Sequence, residues 1–342
     1  MSSAFLSPPP VSVILGTYNG ERYLRQQMES LLSQSVLPTE IIVADDRSTD
    51  GTIRIAEDFQ SFSAVPIKII RRTENIGFGA NFLHGAQHAT ADIIAFCDQD
   101  DIWHPDKLEV CLVKFHDPTI VLVVHSARKI DKDGNDLGRF DQYISQDCTI
   151  NPRACDPWGG HFGFSMVLRK SLLDLVPIDR FDLNLQGMRN NAHDKWVSLL
   201  ARCAGRIACI NRDLVDYRQH DSNVYGAPNK HEVSKTRKMI FFVLNERARS
   251  AQEMCTIISN IPFRTTSDLP LFDKYETLNW WKKIYMVHQR RADLFHSRRR
   301  VDALVQWLKN VAGRVYWNSG SAIQNCKDAV RDLGAIALIK WD

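Results

Sequence analysis

Short apolar runs alternate with amphipathic stretches over the first hundred residues. The apolar runs are VSVIL (11–15), EIIVA (40–44), IKII (67–70) and DIIAF (92–96). Helical periodicity occupies the segments between them, at 21–33, 50–60 and 78–89. Short apolar runs separated by helices are typical of βαβ units. The pattern predicts an α/β fold with a Rossmann-like, mostly parallel sheet flanked by helices.

A cluster of polar residues follows each of these predicted strands. The clusters are GTYNG (16–20), DDRSTDG (45–51), RRTENIG (71–77) and CDQDD (97–101). In open α/β sheets, ligands bind at the carboxyl ends of the strands. We therefore expect the four clusters to converge on one ligand crevice.

The regular alternation ends after the fourth strand. The sequence then predicts a helix at about 105–116, a strand at 120–124, a hairpin at 130–138, a strand at 163–168 between irregular loops, a helix at 193–204 and two short strands, RIACI and DLVDY. From about residue 230 the chain has long helical segments with many basic residues. We place a boundary at 228–235, between an α/β domain (11–228, with halves at about 11–125 and 126–228) and a C-terminal helical extension (229–342). Residues 1–10 are expected to form a disordered tail.

Composition narrows the class of protein. The chain has 342 residues, is 44% hydrophobic, and carries 43 basic against 40 acidic residues. This size and apolar content suit a well-filled core, and the charge balance argues against nucleic-acid binding. Eight cysteines without a C-x-x-C pair predict reduced thiols rather than a disulfide framework or a zinc site. No signal peptide or membrane span is evident, which predicts a protein that stays in the cytoplasm.

Three carboxylates, Asp98, Asp100 and Asp101, follow the fourth strand. A carboxylate before a helix can cap it, and we assign Asp101 to that role or to the turn. Asp98 and Asp100 are harder to explain as caps. Hard cations such as Mg²⁺ and Mn²⁺ take carboxylate and phosphate oxygens, so this pair indicates a metal site.

The clusters after the first two strands suggest how a nucleotide could be bound. Ser48 and Asp50 suit an Asx turn and a helix cap, which leaves Asp45 and Asp46 to accept hydrogen bonds from a nucleobase or a ribose. The cluster GTYNG is neither G-x-G-x-x-G nor a G-K-[ST] phosphate loop. A dinucleotide site or a P-loop is therefore disfavoured.

Seven motifs occur in the order found in family 2 of the glycosyltransferases, and the chain resembles bacterial enzymes of the rhamnosyltransferase type. The resemblance covers about residues 10–226 and rests on VSVILGTYNGERYLRQQMESLLSQS, EIIVADDRSTDGT, NIGFGANF, DIIAFCDQDDIWHPDKL, GGHFGFSMVLRKSL, AHDKW and DYRQHDSN. It implies a GT-A type fold. The C-terminal helices share less of this resemblance.

The resemblance also implies roles for individual residues on the donor side. It places the first strand end against the nucleotide, Asp46 at the base, Asp98 at the ribose and Asp100 on a divalent metal. Arg71 or Arg72 would approach the base. The residues implied around the donor are Gly16, Thr17, Tyr18, Asp46, Arg71, Asn75, Gly77, Asn81 and Asp98.

On the acceptor side, the resemblance implies that Asp194 is the catalytic base. By spacing alone, a carboxylate at a helix N-terminus would be the simpler interpretation of Asp194. Many relatives carry Glu-Asp where this chain has His193-Asp194. His220 corresponds to a histidine that approaches the metal or the diphosphate in some relatives. The segment from Trp158 to His161 would form the floor under the sugar or the acceptor.

The activity implied is metal-dependent, inverting transfer of a hexosyl or deoxyhexosyl group from a UDP-, dTDP- or GDP-sugar. The acceptor would be a saccharide or a lipid-linked saccharide of a bacterial surface polysaccharide, such as O-antigen or capsule. Two alternatives stay open: a sugar nucleotidyltransferase, and a non-catalytic saccharide-binding protein of the same fold.

The C-terminal helices combine basic runs such as Arg298-Arg299-Arg300 with aromatic motifs such as NWWKK and VQWLKN. One interpretation is a helical subdomain that packs on the α/β domain or forms a homo-oligomer. The other is peripheral attachment to the anionic inner face of the plasma membrane, because basic helices with Trp at their boundary suit that interface.

Overall fold

The structure is a computed structural model, and it describes residues 7–140, 142–154, 157–178, 192–221, 236–262, 268–297, 299–318 and 322–338. The expected boundary at 228–235 and most of the expected N-terminal tail lie outside the described residues.

The first half of the chain forms the predicted parallel sheet. Its strands are β1 (Val11–Thr17), β2 (Glu40–Asp45), β3 (Ile67–Arg71) and β4 (Ile93–Asp98), and its helices are α1 (Leu24–Leu32), α2 (Thr52–Phe62) and α3 (Phe78–Gln87). β1 pairs in parallel with both β2 and β4, and β2 with β3. Thr17, Asp45 and Arg71 are register neighbours, as are Gly16 and Asp98. The four polar clusters therefore lie along one edge of the sheet, as expected.

The second half completes a ten-stranded mixed sheet. Its elements are β5 (Ile102–Trp103), α4 (Lys107–Leu112), β6 (Ile120–Ile130), β7 (Asp136–Phe140), β8 (Cys148–Ile150), β9 (Val167–Arg169), α5 (Ser171–Asp174), α6 (His193–Ala204) and β10 (Arg206–Arg218). The main strand order is β3-β2-β1-β4-β9-β6-β10-β5, with β7 on β6 and β8 on β10. The predicted hairpin is confirmed as β6–β7.

Two sequence predictions in this half were wrong. The segments RIACI and DLVDY form one bulged strand, β10, because β6 continues beside both of them. The segment 163–168 begins with a 3₁₀ turn at Gly163–Ser165 and becomes a strand only at Val167.

Apolar side chains cover both faces of the sheet, as expected for strands buried between helices. Ile14, Ile42 and Phe96 face one core, while Val13, Val43 and Cys97 face the other. Gly16 is needed at the end of β1 because a Cβ there would come within 2.7 Å of the Phe82 ring. This close approach brings α3 against the strand end where the polar clusters meet.

Four α-helices lie within the described residues of the C-terminal region: α7 (Arg237–Asn260), α8 (Lys274–His296), α9 (Arg300–Ala312) and α10 (Ala322–Leu338). These helices agree with the long helical segments predicted from about residue 230, and α8 ends at His296 before α9 begins at Arg300. No helix among the described residues is long and apolar enough to cross a membrane.

The helices α7 and α8 pack directly on the α/β domain. The indole of Trp281, which is fully buried, donates to Cys203 Sγ at 3.2 Å. Trp158 Nε1 donates to His288 Nε2 at 2.7 Å. Met254 of α7 shares a core cluster with the helix α6. At least part of the C-terminal region is thus an integral layer of the fold.

A buried ion pair joins α8 to α10, and its removal is expected to destabilise the protein. Arg291 donates to both oxygens of Asp332 at 2.8 and 2.9 Å, and Tyr316 Oη donates to the same carboxylate. In Asp332→Ala the guanidinium stays buried, and only Asp328 remains beside it, at 3.4 Å. We expect the free energy of unfolding to fall by about 3 kcal/mol, as measured by urea denaturation. Asp302→Ala removes the exposed Arg299 pair and should change little; equal losses in the two variants would contradict this assignment.

Candidate active site

The Asp98-Gln99-Asp100 segment leaves β4 and is attached to the end of β1. Gln99 Oε1 accepts a hydrogen bond from the Tyr18 backbone N–H at 2.8 Å, and Gln99 Nε2 donates to the Tyr18 carbonyl at 3.0 Å. A Cβ at Gly20 would lie 2.1 Å from Gln99 Oε1, so a glycine is required there. The middle residue of the motif therefore holds two polar clusters together while the side chain of Tyr18 stays half-exposed.

Asp100 and His220 meet in the cleft. Asp100 Oδ2 lies 2.8 Å from His220 Nε2, although 120 residues separate them in the chain. The imidazole lies against the Tyr23 ring, with centroids 4.9 Å apart. The structure thus brings together the two residues that the sequence assigned to a metal.

The buried guanidinium of Arg218 fixes the position of the backbone that carries Asp100 and His220. Its Nε donates to the Asp100 carbonyl at 2.8 Å, and its Nη2 donates to Gln26 Oε1 at 2.7 Å. The guanidinium carbon also lies 4.7 Å from the centre of the Tyr23 ring, within cation–π range. This residue connects α1, the loop after β4 and the end of β10.

Asp101 does not have the capping role that the sequence suggested. Its side chain is buried, and its Oδ1 accepts the Arg218 backbone N–H at 3.0 Å. The helix α4 begins only at Lys107, after Asp106, too far along the chain for Asp101 to cap it. Burial first, and then the charges of Asp100 and Asp98, hold the pKa of Asp101 well above its usual value. Asp101 therefore anchors the end of β10 to the loop after β4.

A fully buried lysine lies beneath these carboxylates. Lys107 Nζ donates to the Phe164 carbonyl at 2.7 Å and lies 3.5 Å from the centre of the Trp103 ring. Burial lowers its pKa to about 8, while Asp101 and Asp98 favour its charged form. Lys107 supplies the positive charge that partly balances the acidic cluster.

The carboxylates that follow β2 are both hydrogen-bonded within the protein. Asp45 Oδ1 accepts Thr17 Oγ1 at 2.9 Å, and Asp45 Oδ2 accepts the Ser48 backbone N–H at 2.9 Å. The two oxygens of Asp46 accept the backbone N–H groups of Ile76 and Gly77 at 2.8 and 2.9 Å. Asp46 therefore holds the 75–77 segment against the end of β2.

Three further predicted donor residues lie near this segment but differ in their contacts. Asn75 Nδ2 donates to the Asp46 carbonyl at 3.1 Å. The buried Asn81 donates to the Ala44 carbonyl at 2.6 Å and accepts Arg72 Nε at 3.4 Å. Arg71 pairs with Glu57 on the exposed surface of α2, at 2.6 Å. Of the two arginines considered, Arg72 is the one linked to Asn81 of the α3 segment.

Asp194 lies in the first turn of α6, with Oδ1 accepting the Lys195 backbone N–H at 2.7 Å. Burial raises the pKa of Asp194 to about 6, against the lowering effects of the Lys195 and Gly163 amides. A carboxylate with such a pKa is suited to accept a proton near neutral pH. The next residue of α6, Lys195, lines a cavity of about 100 Å³ together with Trp158, Gly159 and Arg247, and Asp194 is not among the residues that line it.

The pKa of Asp98 depends on carboxylates from two elements, the loop after β4 and the helix α6. Burial raises the pKa of Asp98 to about 7, and the negative charges of Asp100 and Asp194 raise it further, against Lys107. The pKa of Asp98 therefore depends both on Asp100 of the same motif and on Asp194 at the start of α6. A cation arriving between these carboxylates would relieve their mutual repulsion.

His193, directly before Asp194, is a packing residue. Its ring stacks on Phe82 at 4.2 Å between centroids and meets Phe96 edge-on at 4.9 Å. Burial lowers the pKa of His193 to about 3, so the ring is neutral. A Cβ at Gly163 would lie 2.4 Å from His193 Nε2, so a glycine is needed at that contact. This aromatic packing sets the position of the first turn of α6.

The residues around Asp100 suit a hard divalent cation. They offer a carboxylate and an imidazole side by side, with the half-buried Asp98 two residues away on the same strand end. Mg²⁺ and Mn²⁺ favour oxygen ligands, and imidazole is also a common transition-metal ligand. Within the described residues, no three His, Cys, Asp or Glu side chains form a complete metal site. Water and substrate phosphate oxygens would have to supply the remaining positions, as is usual for Mg²⁺.

Three residues of this site were missed from the sequence: Gln99, Lys107 and Arg218. Lys107 could be suspected from its place in the amphipathic pattern, where it occupies a core position of α4. Gln99 and Arg218 carry no such signal, since both appear as ordinary polar residues near strand ends.

The comparisons with known proteins agree with this geometry. The family model "Glycosyl transferase family 2" matches residues 12–175. The α/β domain of this chain belongs to glycosyltransferase family 2.

Two relatives illustrate the range of the sequence match. The glycosyltransferase EpsE of Bacillus subtilis is 47% identical over 103 residues, which are 30% of this chain and 37% of EpsE. The dTDP-rhamnosyl transferase RfbG of Shigella flexneri is 29% identical over 229 residues, which are 62% of this chain and 74% of RfbG. The chain thus spans well under two thirds of EpsE.

Among solved structures, the chain is similar to S. aureus TarS 1–349, whose crystal structure shares 16% identity and a TM-score of 0.52 over 96% of this chain and 90% of that one. The complex of TarS 1–349 with UDP-GlcNAc gives a TM-score of 0.54 at 16% identity, over 97% of this chain and 93% of that one. This similarity confirms the predicted GT-A type fold.

Proposed function

We propose that this chain is an inverting glycosyltransferase that moves a sugar from a nucleoside-diphosphate sugar to a saccharide or lipid-linked saccharide acceptor. The observation that carries the proposal is the contact of Asp100 with His220 at 2.8 Å, next to Asp98, whose pKa is raised by burial and then by the charges of Asp100 and Asp194. Membership of the α/β domain in family 2 supports it.

The donor is proposed to bind along the strand ends. The first cluster, Gly16 to Tyr18, would lie against the nucleotide, with Asp98 at the ribose. The remaining lone pairs of the Asp46 carboxylate face the base, while its hydrogen bonds keep Asn75 and Gly77 beside the sugar. Asn81 would act through Arg72 rather than by touching the donor, since its amide is used inside the fold.

The relatives suggest the class of donor and pathway. RfbG is named a dTDP-rhamnosyl transferase, and TarS was solved with UDP and UDP-GlcNAc. We propose transfer of a hexose or deoxyhexose, with a rhamnosyl group from dTDP-rhamnose as the first donor to test. The pathway would be synthesis of a bacterial surface polysaccharide.

Asp100 and His220 are the residues that would hold a divalent cation. Such an ion would neutralise the negative charge that collects on the departing diphosphate. Lys107 and Arg218 keep both ligands in place, one by balancing the charge of the acidic cluster and the other by fixing the Asp100 backbone.

Asp194 is proposed as the base that activates the acceptor. Its carboxylate takes the proton of the attacking hydroxyl while the new C–O bond forms at the anomeric carbon. The bond to the diphosphate breaks on the opposite face, so one displacement inverts the configuration.

The discriminating experiment measures released products across UDP-, dTDP- and GDP-sugars, with Mg²⁺ or Mn²⁺ and a saccharide acceptor. Release of a nucleoside diphosphate together with a glycosylated product would support the proposal. Consumption of a nucleoside triphosphate with release of pyrophosphate would identify a sugar nucleotidyltransferase instead. Saccharide binding without release of any nucleotide would favour the non-catalytic protein.

The pH dependence should reveal the base. Because Asp194 must be ionised to accept a proton and its pKa is about 6, kcat should fall as the pH drops below about 6. The measurement is kcat at saturating donor, acceptor and metal. The ratio kcat/KM is less suitable, because it also depends on the ionisation of Asp98, whose pKa is about 7. A kcat that is flat from pH 5 to 8 would argue against Asp194 as the base.

A further inference from the structure

The helix α9 packs on the protein through a face that combines the apolar contacts of Ala303 and Trp307 with hydrogen bonds of its polar groups. Ala303 and Asn310 are buried, and Asn310 Nδ2 donates to the Arg290 carbonyl of α8 at 3.2 Å. Gln306 Nε2 donates to Asn310 Oδ1 at 3.1 Å, and Trp307 Nε1 donates to the Ala329 carbonyl of α10 at 3.0 Å. These contacts fix the rotation of α9 about its axis and define which side faces outward.

The outward face of α9 is apolar. It carries four residues with the i, i+3, i+4, i+7 spacing of a helix face: Val301, Leu304, Val305 and Leu308. Their exposed fractions are 69%, 40%, 46% and 54%. We call these four residues the α9 stripe. A single exposed leucine needs no explanation, but a contiguous stripe marks a surface that binds something apolar.

Basic residues surround the α9 stripe. At 100° per residue, Arg300 and Lys309 fall on opposite flanks of the stripe. The sequence 298–314 contains five basic residues, three of them consecutive at 298–300, and a single acidic one, Asp302. The net charge of the segment is +4. Its single acidic residue, Asp302, forms an exposed ion pair with Arg299.

We propose that the α9 stripe inserts into the interface of an anionic lipid bilayer. An apolar helix face flanked by Lys and Arg is the arrangement by which peripheral helices lie in the plane of a membrane. A second copy of the chain would bring another strongly basic segment against the first, whereas anionic headgroups complement this charge. The inference goes beyond the proposed activity, because it concerns where the chain resides and stands whichever sugar is transferred.

The test compares binding of the full chain to vesicles of phosphatidylglycerol and phosphatidylethanolamine in equal parts with binding to phosphatidylcholine vesicles. Co-sedimentation should be strong with the anionic vesicles and weak with the neutral ones, and added salt should weaken it. The double variant Leu304→Ser/Leu308→Ser should lose about tenfold or more in partition coefficient, since two leucines no longer leave water.

Matched control variants distinguish the removal of the α9 stripe from unfolding of the protein. Leu37→Ser/Phe62→Ser changes two residues of the α/β domain that are 52% and 65% exposed, and it should bind like the wild type. Leu304→Met/Leu308→Met should also retain binding. Thermal unfolding of every variant checks that the chain is folded.

Three results would overturn the proposal: equal binding to both kinds of vesicle, unchanged binding by the serine variant, or a serine variant that changes only the molar mass measured by light scattering. The last result would identify the α9 stripe as a contact between copies of the chain. Loss of donor turnover would not bear on this test, because vesicle binding is measured without substrate.

Discussion

Asp194→Asn is expected to lower the rate of sugar transfer by about 10²- to 10⁴-fold, the usual contribution of a general base. The amide keeps the shape of the side chain and can still accept the Lys195 backbone N–H, so α6 should begin as before. Without a carboxylate, however, the acceptor hydroxyl has no group to take its proton. Donor affinity should stay within a factor of about two, because the role proposed for Asp194 is at the acceptor and not at the diphosphate.

The measurement is product formation at saturating substrates, combined with calorimetric binding of the nucleoside diphosphate. Asp174→Asn is the matched control, since Asp174 is also a carboxyl whose pKa is raised by burial, but it lines a cavity with Lys170 and Trp196 that Asp194 does not line. The control should keep wild-type activity. Full activity in Asp194→Asn would remove Asp194 from the mechanism, and the loss of donor binding would place it on the donor side.

Asp100→Asn should have the second large effect, on the metal-dependent binding of the donor. The substitution keeps the volume and removes the charge, while Arg218 still holds the backbone carbonyl of residue 100. We expect the Kd of the nucleoside diphosphate in the presence of Mn²⁺ to rise by at least ~10-fold, since a direct ligand should matter no less than its supporting residues. His220→Gln should weaken binding in the same direction.

Chelation provides the internal control. EDTA should weaken donor binding by the wild type to about the level of Asp100→Asn, and it should change the variant little. Asp133→Asn, in the exposed turn between β6 and β7, should behave like the wild type. A donor affinity that EDTA lowers equally in the wild type and in Asp100→Asn would mean that Asp100 does not hold the ion.

Much of the α/β domain could be predicted because its signals are local. Short apolar runs and helices of period 3.6 identified β1 to β4 and α1 to α3, and the polar strand ends located the edge where ligands are expected. The pairing of Asp98 with Asp100 was visible as a motif. The family resemblance then linked this motif to His220 and Asp194, which no local pattern could do.

Other features depended on contacts between distant parts of the chain. Asp45 and Asp46 seemed available for a ligand, yet Thr17, Ser48 and the 76–77 amides occupy much of their hydrogen-bonding capacity. Asp101 seemed to belong to the next helix, but it accepts a hydrogen bond from Arg218, 117 residues away. The sequence shows only that a carboxylate follows a strand. It does not show whether that carboxylate binds a ligand or a neighbouring loop.

By itself, the sequence determined the parallel sheet, the edge where ligands bind and the acidic motif, because each follows from the periodicity of short segments. The tertiary structure decided which carboxylates remain accessible and which way α9 faces. The pattern of α9 shows an amphipathic helix but cannot say which side meets the protein. The hydrogen bonds of Asn310 and Trp307 to neighbouring helices, with the packing of Ala303, fix the opposite side inward and leave the α9 stripe at the surface.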